Sequence, residues 1–511
     1  MMASGTTMGG ELVFREGFEY EFSALHPMSD HIDPPALAAY ESPLAKGTDS
    51  QPVGLLVDSW QINADGTEWL MKIRPNVTFH SGAPCDAPAV LAALNAIRTA
   101  LAESGDDSYW NAVSDVTLAD SETLRFSLHH PSARVASLLW GPHTLIHNEA
   151  GRREYGEDFG SAVVDGTGPY RVVSWSEERV AAERWDGYAR PSAPMFAQPS
   201  ADMPDRIEWV AVLGESERLA MLEAGELDCI HAPPADQVAR LADDPRYKTF
   251  RYSQPASMYL TLNWEHSDLG FDDLRVRQAF YLALDREEIV ATALAGCGSP
   301  TWGPLPPNLE FYDPSIDARG DFDSRQAGSL LDAAGFAVGA DGIRQRDGHR
   351  MSFPCVVQDD ETFRRVSAIV APQLADIGVD LRFEFYKPFV EYYEACRDDP
   401  ACTINKWLWQ DPMDALIGFC ASDKRPFLNW SNASSPPLDD AFDAWTRAET
   451  LDDLHTAASR AQQAFAKDLP YIPLLTPDDV WVWDSRFSGY DPRPGMLYPY
   501  YHTLHDSLSS R

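Results

Sequence analysis

Alternating apolar and polar residues, interrupted by turn signals, mark a series of short strands along the chain. Trp69, Met71 and Ile73 occupy every second position of one run, which follows the turn at Asp65-Gly66. Further strands are predicted at 77–80, 113–118, 123–128, 170–175, 181–185, 207–213, 259–263, 379–385 and 471–475. Because successive side chains of a strand point to opposite faces, the alternating runs indicate sheets with one buried face.

Apolar residues that recur every three or four positions predict helices between these strands. A stripe from Val90 to Ile97 belongs to a helix that Asp86 caps and that ends before Gly105. One long helix is predicted to start at Asp272 or Asp273, to carry an apolar stripe through Val290 and to end at Gly296. Other helices are predicted at 135–140, 215–224, 324–336, 362–377 and 454–467.

The alternation of strands and helices indicates a mixed α/β fold. At about 100–200 residues per domain, the 511 residues allow two to four structural units. The sequence shows no internal repeat and no low-complexity segment.

The chain is strongly acidic, with a net charge of −37 from 41 basic and 78 acidic residues. Such a surface repels phosphate backbones and anionic lipid, so we do not expect the protein to bind nucleic acid. It also favours a soluble monomer. A source organism whose proteins are acidic in general explains the charge equally well.

Two features of the sequence bear on location. No run of about 18 apolar residues is present, so no membrane-spanning helix is expected. Residues 1–10 have neither the basic region nor the apolar stretch of a signal peptide. An extracytoplasmic location would therefore involve a signal sequence or lipid anchor that this sequence does not include.

The seven cysteines form no CxxC pair and no cluster with zinc-like spacing. Cys396 and Cys402 enclose the short loop CRDDPAC, so they are able to pair in an oxidising compartment. Seven buried, unreactive thiols are the alternative. His26 and His31 alone do not make a metal site, and neither a metal nor a cofactor is expected.

Catalytic signatures are missing from the sequence. It contains no GxSxG, no HExxH, no Walker-type loop and no GxGxxG placed after a strand. Acidic pairs such as Asp243-Asp244 and Asp398-Asp399 fall in polar turns, where solvated carboxylates are the usual case. An enzyme is therefore not expected. A glycoside hydrolase, which needs two carboxylates facing each other across a cleft, is the least favoured alternative.

Six segments between residues 40 and 474 form an ordered set of motifs. They are YESPL (Tyr40 to Leu44), DGTEWLMKIRPNVTFHSGAPCDAPAVLAAL (Asp65 to Leu94), GTGPYRVVSW (Gly166 to Trp175), LTLNWEHSDLGFDDLRVRQAFYLALDREEIV (Leu260 to Val290), LLDAAGF (Leu330 to Phe336) and PYIPL (Pro470 to Leu474). In GTGPY the glycines are expected to supply unusual backbone angles, and Pro169 to fix the exit. Together the segments resemble the extracellular solute-binding proteins of family 5, the oligopeptide- and dipeptide-type receptors.

The resemblance implies a two-lobed periplasmic-binding-protein-like α/β fold (type II, cluster C) with an extra third lobe. Lobe I would comprise 11–55, 166–260 and 484–511. Lobe II, the extra lobe of the family, would comprise 56–165, and lobe III, the second ligand-closing lobe, 261–483. In such a fold the ligand lies in the cleft between lobes, and closure about a hinge buries it.

The resemblance also implies a function. The protein would be the extracytoplasmic receptor of an ABC importer, in the periplasm or as a cell-surface lipoprotein. It would capture a small molecule without altering it and deliver it to the permease subunits, and through them to an ATPase. A sensory module that presents its closed form to a signalling partner is the alternative of another class, which neighbouring genes would distinguish.

The segment from Ile404 to Phe419 bears on the ligand class. In peptide-binding relatives the matching region resembles GW-x-x-DY-x-DP, and an aspartate shortly before DP holds the amino terminus of the peptide. Here the run is WLWQDP, which has no aspartate at that position. Because a buried ammonium without an acidic partner pays a large desolvation cost, an ordinary free-amino peptide is less favoured. Asp411 or Asp414 as a substitute partner keeps peptides as the alternative.

The favoured ligands are an oligosaccharide, an opine-like conjugate or an aromatic amide or acid, since Trp407 and Trp409 would stack on a flat face. For Trp481 and Trp483, which alternate near the end of the chain, one ring is expected to reach the cleft and the other to pack. Core packing or a surface loop is the alternative for each aromatic residue or histidine. The predicted ligand contacts are Tyr20, His26, Met28, His31, Tyr40, Asn263, Trp407, Trp409, Gln410, Asp411, Met413 and Trp481.

Overall fold

The computed structural model describes residues 11–29, 32–47, 51–104, 110–132, 134–141, 144–189, 191, 203–319, 322–387, 389–408, 412–490 and 501–507. The chain divides into two compact units. Unit 1 comprises Met1–Phe250 and Val480–Arg511, and unit 2 comprises Arg251–Asp479. The further division into three lobes stays a prediction.

Strands and helices alternate throughout the described chain. The strands are β1 (Val13–Phe18), β2 (Leu44–Lys46), β3 (Pro52–Gly54), β4 (Val57–Ile62), β5 (Glu68–Ile73), β6 (Val113–Leu118), β7 (Thr123–Leu128), β8 (Tyr170–Trp175), β9 (Arg179–Arg184), β10 (Arg206–Ala211), β11 (Cys229–His231), β12 (Tyr247–Ser253), β13 (Ala256–Leu262), β14 (Gly298–Pro300), β15 (Ala337–Val338), β16 (Arg344–Arg346), β17 (His349–Arg350), β18 (Ser352–Gln358), β19 (Asp380–Tyr386), β20 (Cys402–Leu408), β21 (Tyr471–Asp484), β22 (Phe487–Ser488) and β23 (His505–Asp506). The helices are α1 (Pro34–Ala39), α2 (Ala87–Ser104), α3 (Val135–Trp140), α4 (Glu149–Tyr155), α5 (Glu215–Ala224), α6 (Val238–Asp243), α7 (Leu274–Leu282), α8 (Arg286–Ala293), α9 (Ser324–Ala333), α10 (Glu361–Ala375), α11 (Phe389–Arg397), α12 (Pro412–Cys420), α13 (Pro436–Thr446) and α14 (Leu451–Asp468).

The main sheet of unit 1 has the strand order β21-β11-β1-β10-β9-β8. β1 runs parallel to both of its neighbours, β10 and β11, whereas β21, β9 and β8 pair antiparallel. The carboxyl ends of β1, β10 and β11 therefore lie at one edge of the sheet. In open α/β sheets this edge is where ligands bind.

A second sheet of unit 1 is fully antiparallel, in the order β4-β5-β7-β6. One face is covered by α2, and the buried residues between them include Met71, Phe126, Val90 and Leu94. The alternation at Trp69, Met71 and Ile73 that predicted β5 places these side chains in this core. Asp86 caps α2 as predicted, because its carboxylate accepts a 3.0 Å hydrogen bond from the Ala89 N–H.

The main sheet of unit 2 has the order β19-β18-β20-β13-β21, with β14 on β21, and a small separate sheet has the order β15-β16-β17. β18 is parallel to β19 and β20, and β13 is antiparallel to β20 and β21. All seven residues of β13 are buried. This explains its near-continuous apolar sequence, since a central strand covered on both faces has no polar side.

Two predicted elements differ from the structure. The segment 77–80 is not a strand, and its pairing is limited to a bridge between Thr78 and Pro84. The Phe79 N–H donates to the Ala83 carbonyl at 2.8 Å, so the loop folds back on itself. The long helix predicted through Val290 is two helices, α7 and α8. It is interrupted because the Asp285 carboxylate caps α8 through the Glu288 N–H at 3.0 Å.

The glycines of GTGPY have a different role from the predicted one. A Cβ on Gly166 would lie 2.1 Å from the Ala39 carbonyl oxygen, and one on Gly168 would lie 2.3 Å from the Ala38 carbonyl oxygen. The Gly168 N–H donates to the Ala39 carbonyl at 2.8 Å. Glycine is needed here because the loop packs directly against the backbone at the end of α1, and neither glycine has a positive φ.

Candidate functional site

The predicted contact residues fall into three groups. Unit 1 holds Tyr20, His26, Met28, Tyr40 and Trp481, and unit 2 holds Asn263, Trp407 and Met413. His31, Trp409, Gln410 and Asp411 lie outside the described residues.

The carboxyl edge of the unit 1 sheet carries an ion pair that the sequence analysis missed. Glu19 directly follows β1, and His231 is the last residue of the neighbouring parallel strand β11. The His231 Nδ1 lies 2.8 Å from the Glu19 Oε2. The His231 side chain is 9% exposed, whereas that of Glu19 is 31% exposed.

Electrostatics keep the Glu19 carboxyl ionised. Burial raises its pKa. This effect is outweighed by the charge of His231, by the hydrogen bond from His231 and by the charge of Arg218, which together lower the pKa to about 2. Arg218 lies on α5 and is buried, and its guanidinium donates to the backbone carbonyls of Val212, Leu213, His231 and Ala232. These bonds hold the chain segments that follow β10 and β11.

Aromatic rings pack around this ion pair. Trp481 lies opposite His231 in the β11–β21 register, and their ring centroids are 4.5 Å apart. Phe18 contacts Trp481, His231 and Tyr20, with centroids 5.8, 5.8 and 5.6 Å away. Two predicted contacts, Tyr20 and Trp481, therefore belong to one aromatic cluster. Trp481 and Trp483 are both buried.

A second carboxylate, Glu16, is buried inside the same unit. It accepts hydrogen bonds from the hydroxyls of Tyr490 and Tyr501, the latter at 2.6 Å. The Trp209 indole N–H donates to the Tyr501 hydroxyl at 2.8 Å. Burial, opposed by the tyrosine hydrogen bonds and the charge of His231, raises the Glu16 pKa to about 7. Because Glu16 is fully buried, its role is structural.

The turn at residues 25–28 holds His26 and Met28, which are half-buried. The Met28 N–H donates to the His26 Nδ1 at 3.3 Å, and the Tyr40 hydroxyl donates to the Leu25 carbonyl at 3.2 Å. Burial, with the nearby positive charge of Arg152, lowers the His26 pKa. Tyr40 is itself buried, so in this structure its role is to stabilise the turn through this hydrogen bond.

The unit 2 candidates are all deeply buried. The Asn263 amide nitrogen donates to the Asp399 carboxylate at 2.7 Å, and its oxygen accepts from the Asn432 amide at 3.1 Å and the Glu265 N–H at 3.1 Å. Trp407, which is 1% exposed, pairs with Ser257 across the β13–β20 ladder. Met413 is buried at the start of α12. These side chains hold unit 2 together in the structure.

Cys402 faces a different partner from the one predicted. Its Sγ lies 3.3 Å from that of Cys355, directly opposite on the parallel strand β18. The Cys396 Sγ contacts the Asn405 side-chain oxygen at 3.9 Å. All seven cysteines are at described positions, are buried and are not joined in disulfides.

The described part of the chain contains no group of three or more His, Cys, Asp or Glu side chains placed to hold a metal ion. None of the helices described is long and apolar enough to cross a membrane.

Known structures share this fold. The periplasmic binding protein DppA of Helicobacter pylori in complex with the peptide STSA matches with a TM-score of 0.80 at 19% identity, over 97% of this chain and 98% of that one. The binding protein AgaA of A. tumefaciens R10 in complex with agropinic acid matches with a TM-score of 0.76 at 20% identity, over 95% and 96%. The chain therefore has the fold of the periplasmic binding proteins, which confirms the predicted fold class; the extra lobe stays a prediction.

A family model identifies the family of the chain, and the sequence relatives agree with it. The glutathione-binding protein GsiB of Salmonella paratyphi A is 26% identical over 468 residues, 89% of this chain and 86% of that protein. GsiB of Pectobacterium atrosepticum is 26% identical over 351 residues, which span 68% of this chain and 63% of that relative. The model of the bacterial extracellular solute-binding proteins, family 5, matches residues 51–425. The chain belongs to this family, as predicted, and the family and these relatives are binding proteins and not enzymes.

Proposed function

We propose that the protein is the receptor of an ABC importer for a small organic ligand other than an ordinary free-amino peptide. An oligosaccharide, an opine-like conjugate or an aromatic amide or acid is favoured. The receptor would pass the ligand unchanged to the permease subunits that work with this family, and through them to an ATPase. Membership of the family supports the receptor role.

The sequence of β20 and the residues that follow it carries the proposal on ligand class. From Cys402 to Gln410 the chain has no acidic residue, and Trp407 is packed inside unit 2. An ammonium group brought to this segment would have no carboxylate before Asp411. Since an unpaired buried charge is costly, this segment does not provide the usual partner for a peptide amino terminus.

The relatives and structural neighbours are named with ligands of several chemical classes. Among them are glutathione, a peptide, agropinic acid and a nickel–histidine complex. An opine-like conjugate therefore fits this range among the favoured classes. A peptide is the second candidate. It is supported by the DppA complex and by Asp414, a buried carboxyl in the first turn of α12.

A thermal-shift panel tests the proposal. It would contain di- to pentapeptides, oligosaccharides, opine-like conjugates, and aromatic amides and acids. A ligand at about 100 times its dissociation constant adds about 2.7 kcal/mol to the free energy of unfolding, which raises the melting temperature visibly. We expect shifts from non-peptides. Shifts from free-amino peptides alone would contradict the proposed ligand class.

Variants refine the same test. Trp409→Ala removes the predicted stacking ring, so it should abolish the shift produced by the best compound. Phe389→Ala, which removes an exposed ring elsewhere in unit 2, should leave that shift unchanged. If peptides bind, Asp411→Asn and Asp414→Asn identify which carboxylate holds the peptide amine.

A further inference from the structure

The Glu19–His231 pair differs in surroundings from Glu16, a fully buried carboxylate three residues away in the same unit. Glu16 is enclosed and receives two tyrosine hydroxyls. Glu19 has one oxygen, Oε2, bonded to His231, while its side chain stays 31% exposed. The side chain that carries this ionised carboxylate is therefore about one third exposed at the carboxyl edge of the sheet.

Backbone pairing, a ring contact and hydrogen bonds fix the position of His231, which orients Glu19. His231 is fixed at the end of β11 by pairing with β21 and by its ring contact with Trp481 at 4.5 Å. The Arg218 guanidinium is bonded to the His231 and Ala232 carbonyls at 3.1 and 2.6 Å. A carboxylate with a fixed orientation pays little ordering entropy when a partner binds.

Aromatic side chains add a second feature suited to cations. Tyr20 is half-buried beside Glu19 and packs on Phe18, which in turn contacts Trp481. The faces of aromatic rings attract ammonium and guanidinium groups electrostatically. A carboxylate next to such rings is an arrangement that recognises a positively charged nitrogen.

We propose that Glu19, oriented by His231 and next to the half-buried Tyr20, binds a cationic nitrogen of the ligand. This inference rests on the proposed function and deepens it. Among the proposed ligands it selects an amino-acid conjugate with a free ammonium or guanidinium group, such as an opine-like secondary amine. The anchor belongs to unit 1, so it does not depend on an aspartate in the segment after β20.

The test compares matched probes in which acetylation removes the charge of the single cationic nitrogen. The probes are N-(1-carboxyethyl)alanine and trialanine, each against its N-acetyl derivative, with maltotriose as an uncharged probe. Calorimetric titration of the wild-type protein should show binding of at least one amine-bearing probe, at least about tenfold tighter than its acetylated form.

The variants assign that preference to one carboxylate. Glu19→Gln keeps the size of the side chain and should remove the preference for the charged probe, whereas Glu19→Asp keeps the charge and should retain part of it. Glu21→Gln, which neutralises an exposed carboxylate two residues away, should bind as the wild type does. Melting curves of the variants report whether they fold, and Glu19→Asp decides the case if Glu19→Gln does not.

Each outcome has one meaning. Unchanged binding of the charged probe by a folded Glu19→Gln protein overturns the inference and leaves the proposed function standing. If only the acetylated probes or maltotriose bind, the inference is also overturned and the proposed function still stands. Failure of every probe here and of every compound in the thermal-shift panel overturns the proposed function, and the inference with it.

Discussion

At the scale of single residues, the surroundings of a buried carboxyl group decide the direction in which its pKa shifts. Glu16 and Glu19 are three positions apart, yet the Glu16 pKa is raised to about 7 and the Glu19 pKa is lowered to about 2. The difference arises because Glu16 is enclosed by uncharged tyrosines, whereas Glu19 is hydrogen-bonded to His231 and lies near the charge of Arg218. Periodicity places both residues near β1 but contains no information on these partners.

The raised pKa of Glu16 makes stability depend on pH. Between pH 4.5 and about 7 the unfolded chain has an ionised Glu16 and the folded chain a protonated one. The unfolded state then binds fewer protons, so the free energy of unfolding falls as pH rises, by about 3 kcal/mol in total from this group. The contribution is constant above about pH 7.

Glu16→Gln should remove this dependence, because a glutamine keeps the size and hydrogen-bonding capacity without ionising. Urea unfolding at pH 4.5 and pH 8 should give similar stabilities for variant and wild type at pH 4.5, and a more stable variant at pH 8. Glu21→Gln is the matched exposed control. A stability difference between Glu16→Gln and wild type that is the same at both pH values would rule out the assigned pKa.

Arg286 is a buried residue that fixes several backbone segments of unit 2. Its guanidinium donates to the carbonyls of Thr301, Pro473, Tyr281 and Leu284 at 2.8–3.1 Å. Burial, which the charge of Asp285 opposes, lowers its pKa to about 10, so it remains charged at neutral pH.

Arg286→Lys should destabilise the protein by about 2–4 kcal/mol, because an ammonium cannot reproduce four bonds of a planar fork and leaves carbonyls unpaired. Arg275→Lys, at an exposed position of α7, should cost less than about 1 kcal/mol. Denaturant unfolding measures both. Equal effects of the two substitutions would show that the buried bonds of Arg286 do not matter.

At the scale of elements, the sequence predicted most strands and helices where the apolar period was unbroken. The strands β6 and β7 and the helices α3 and α5 lie where predicted. The prediction of one long helix through Val290 was wrong because the Asp285 side chain caps α8 and so separates it from α7. A motif of the form Asp-x-x-Glu before an apolar run was present there, and it is the cap signal that would have separated the two helices.

The contact between GTGPY and α1 predicts a severe effect of one methyl group. Gly166→Ala would place a Cβ 2.1 Å from the Ala39 oxygen, so the loop or α1 must move, at a cost of about 2–4 kcal/mol. Gly214→Ala is the control, since its nearest neighbour would lie 3.6 Å away. Thermal denaturation should separate the two variants. Similar melting temperatures would mean that the loop does not pack on α1 as described.

The register of β18 and β20 predicts a cross-link between Cys355 and Cys402. Directly opposed residues of neighbouring strands lie within the Cα separation that a disulfide spans. Burial raises the Cys355 pKa, so the folded thiol reacts slowly. Refolding the reduced chain with glutathione disulfide should oxidise the two thiols to one disulfide and reduce the reagent to two glutathione molecules.

Peptide mapping by mass spectrometry should find the Cys355–Cys402 linkage in this refolded protein. Cys396→Ser should leave the linkage intact, and Cys355→Ser should abolish it. A Cys396–Cys402 linkage, the pairing that the short loop between them suggested, would contradict the strand register.

At the scale of the whole molecule, the order of six short motifs predicted the family, and the family match and shared fold confirm it. The contact residues were harder to predict, because the sequence does not reveal which polar side chain at a strand end is left exposed. Tyr20 and Trp481 lie in the cluster next to Glu19, whereas Asn263 is bonded inside unit 2. Glu19 and His231 were missed because β1 and β11 were not predicted as neighbouring parallel strands.

The central claim is that this protein captures a small molecule and does no chemistry on it. Equilibrium dialysis against the mixed compound panel, followed by denaturation and mass spectrometry of what is released, tests this most directly. We expect one compound class to be retained at about one molecule per chain, carrying a cationic nitrogen, and to be recovered with its mass unchanged. Retention of nothing, or recovery of a converted product, would contradict the account.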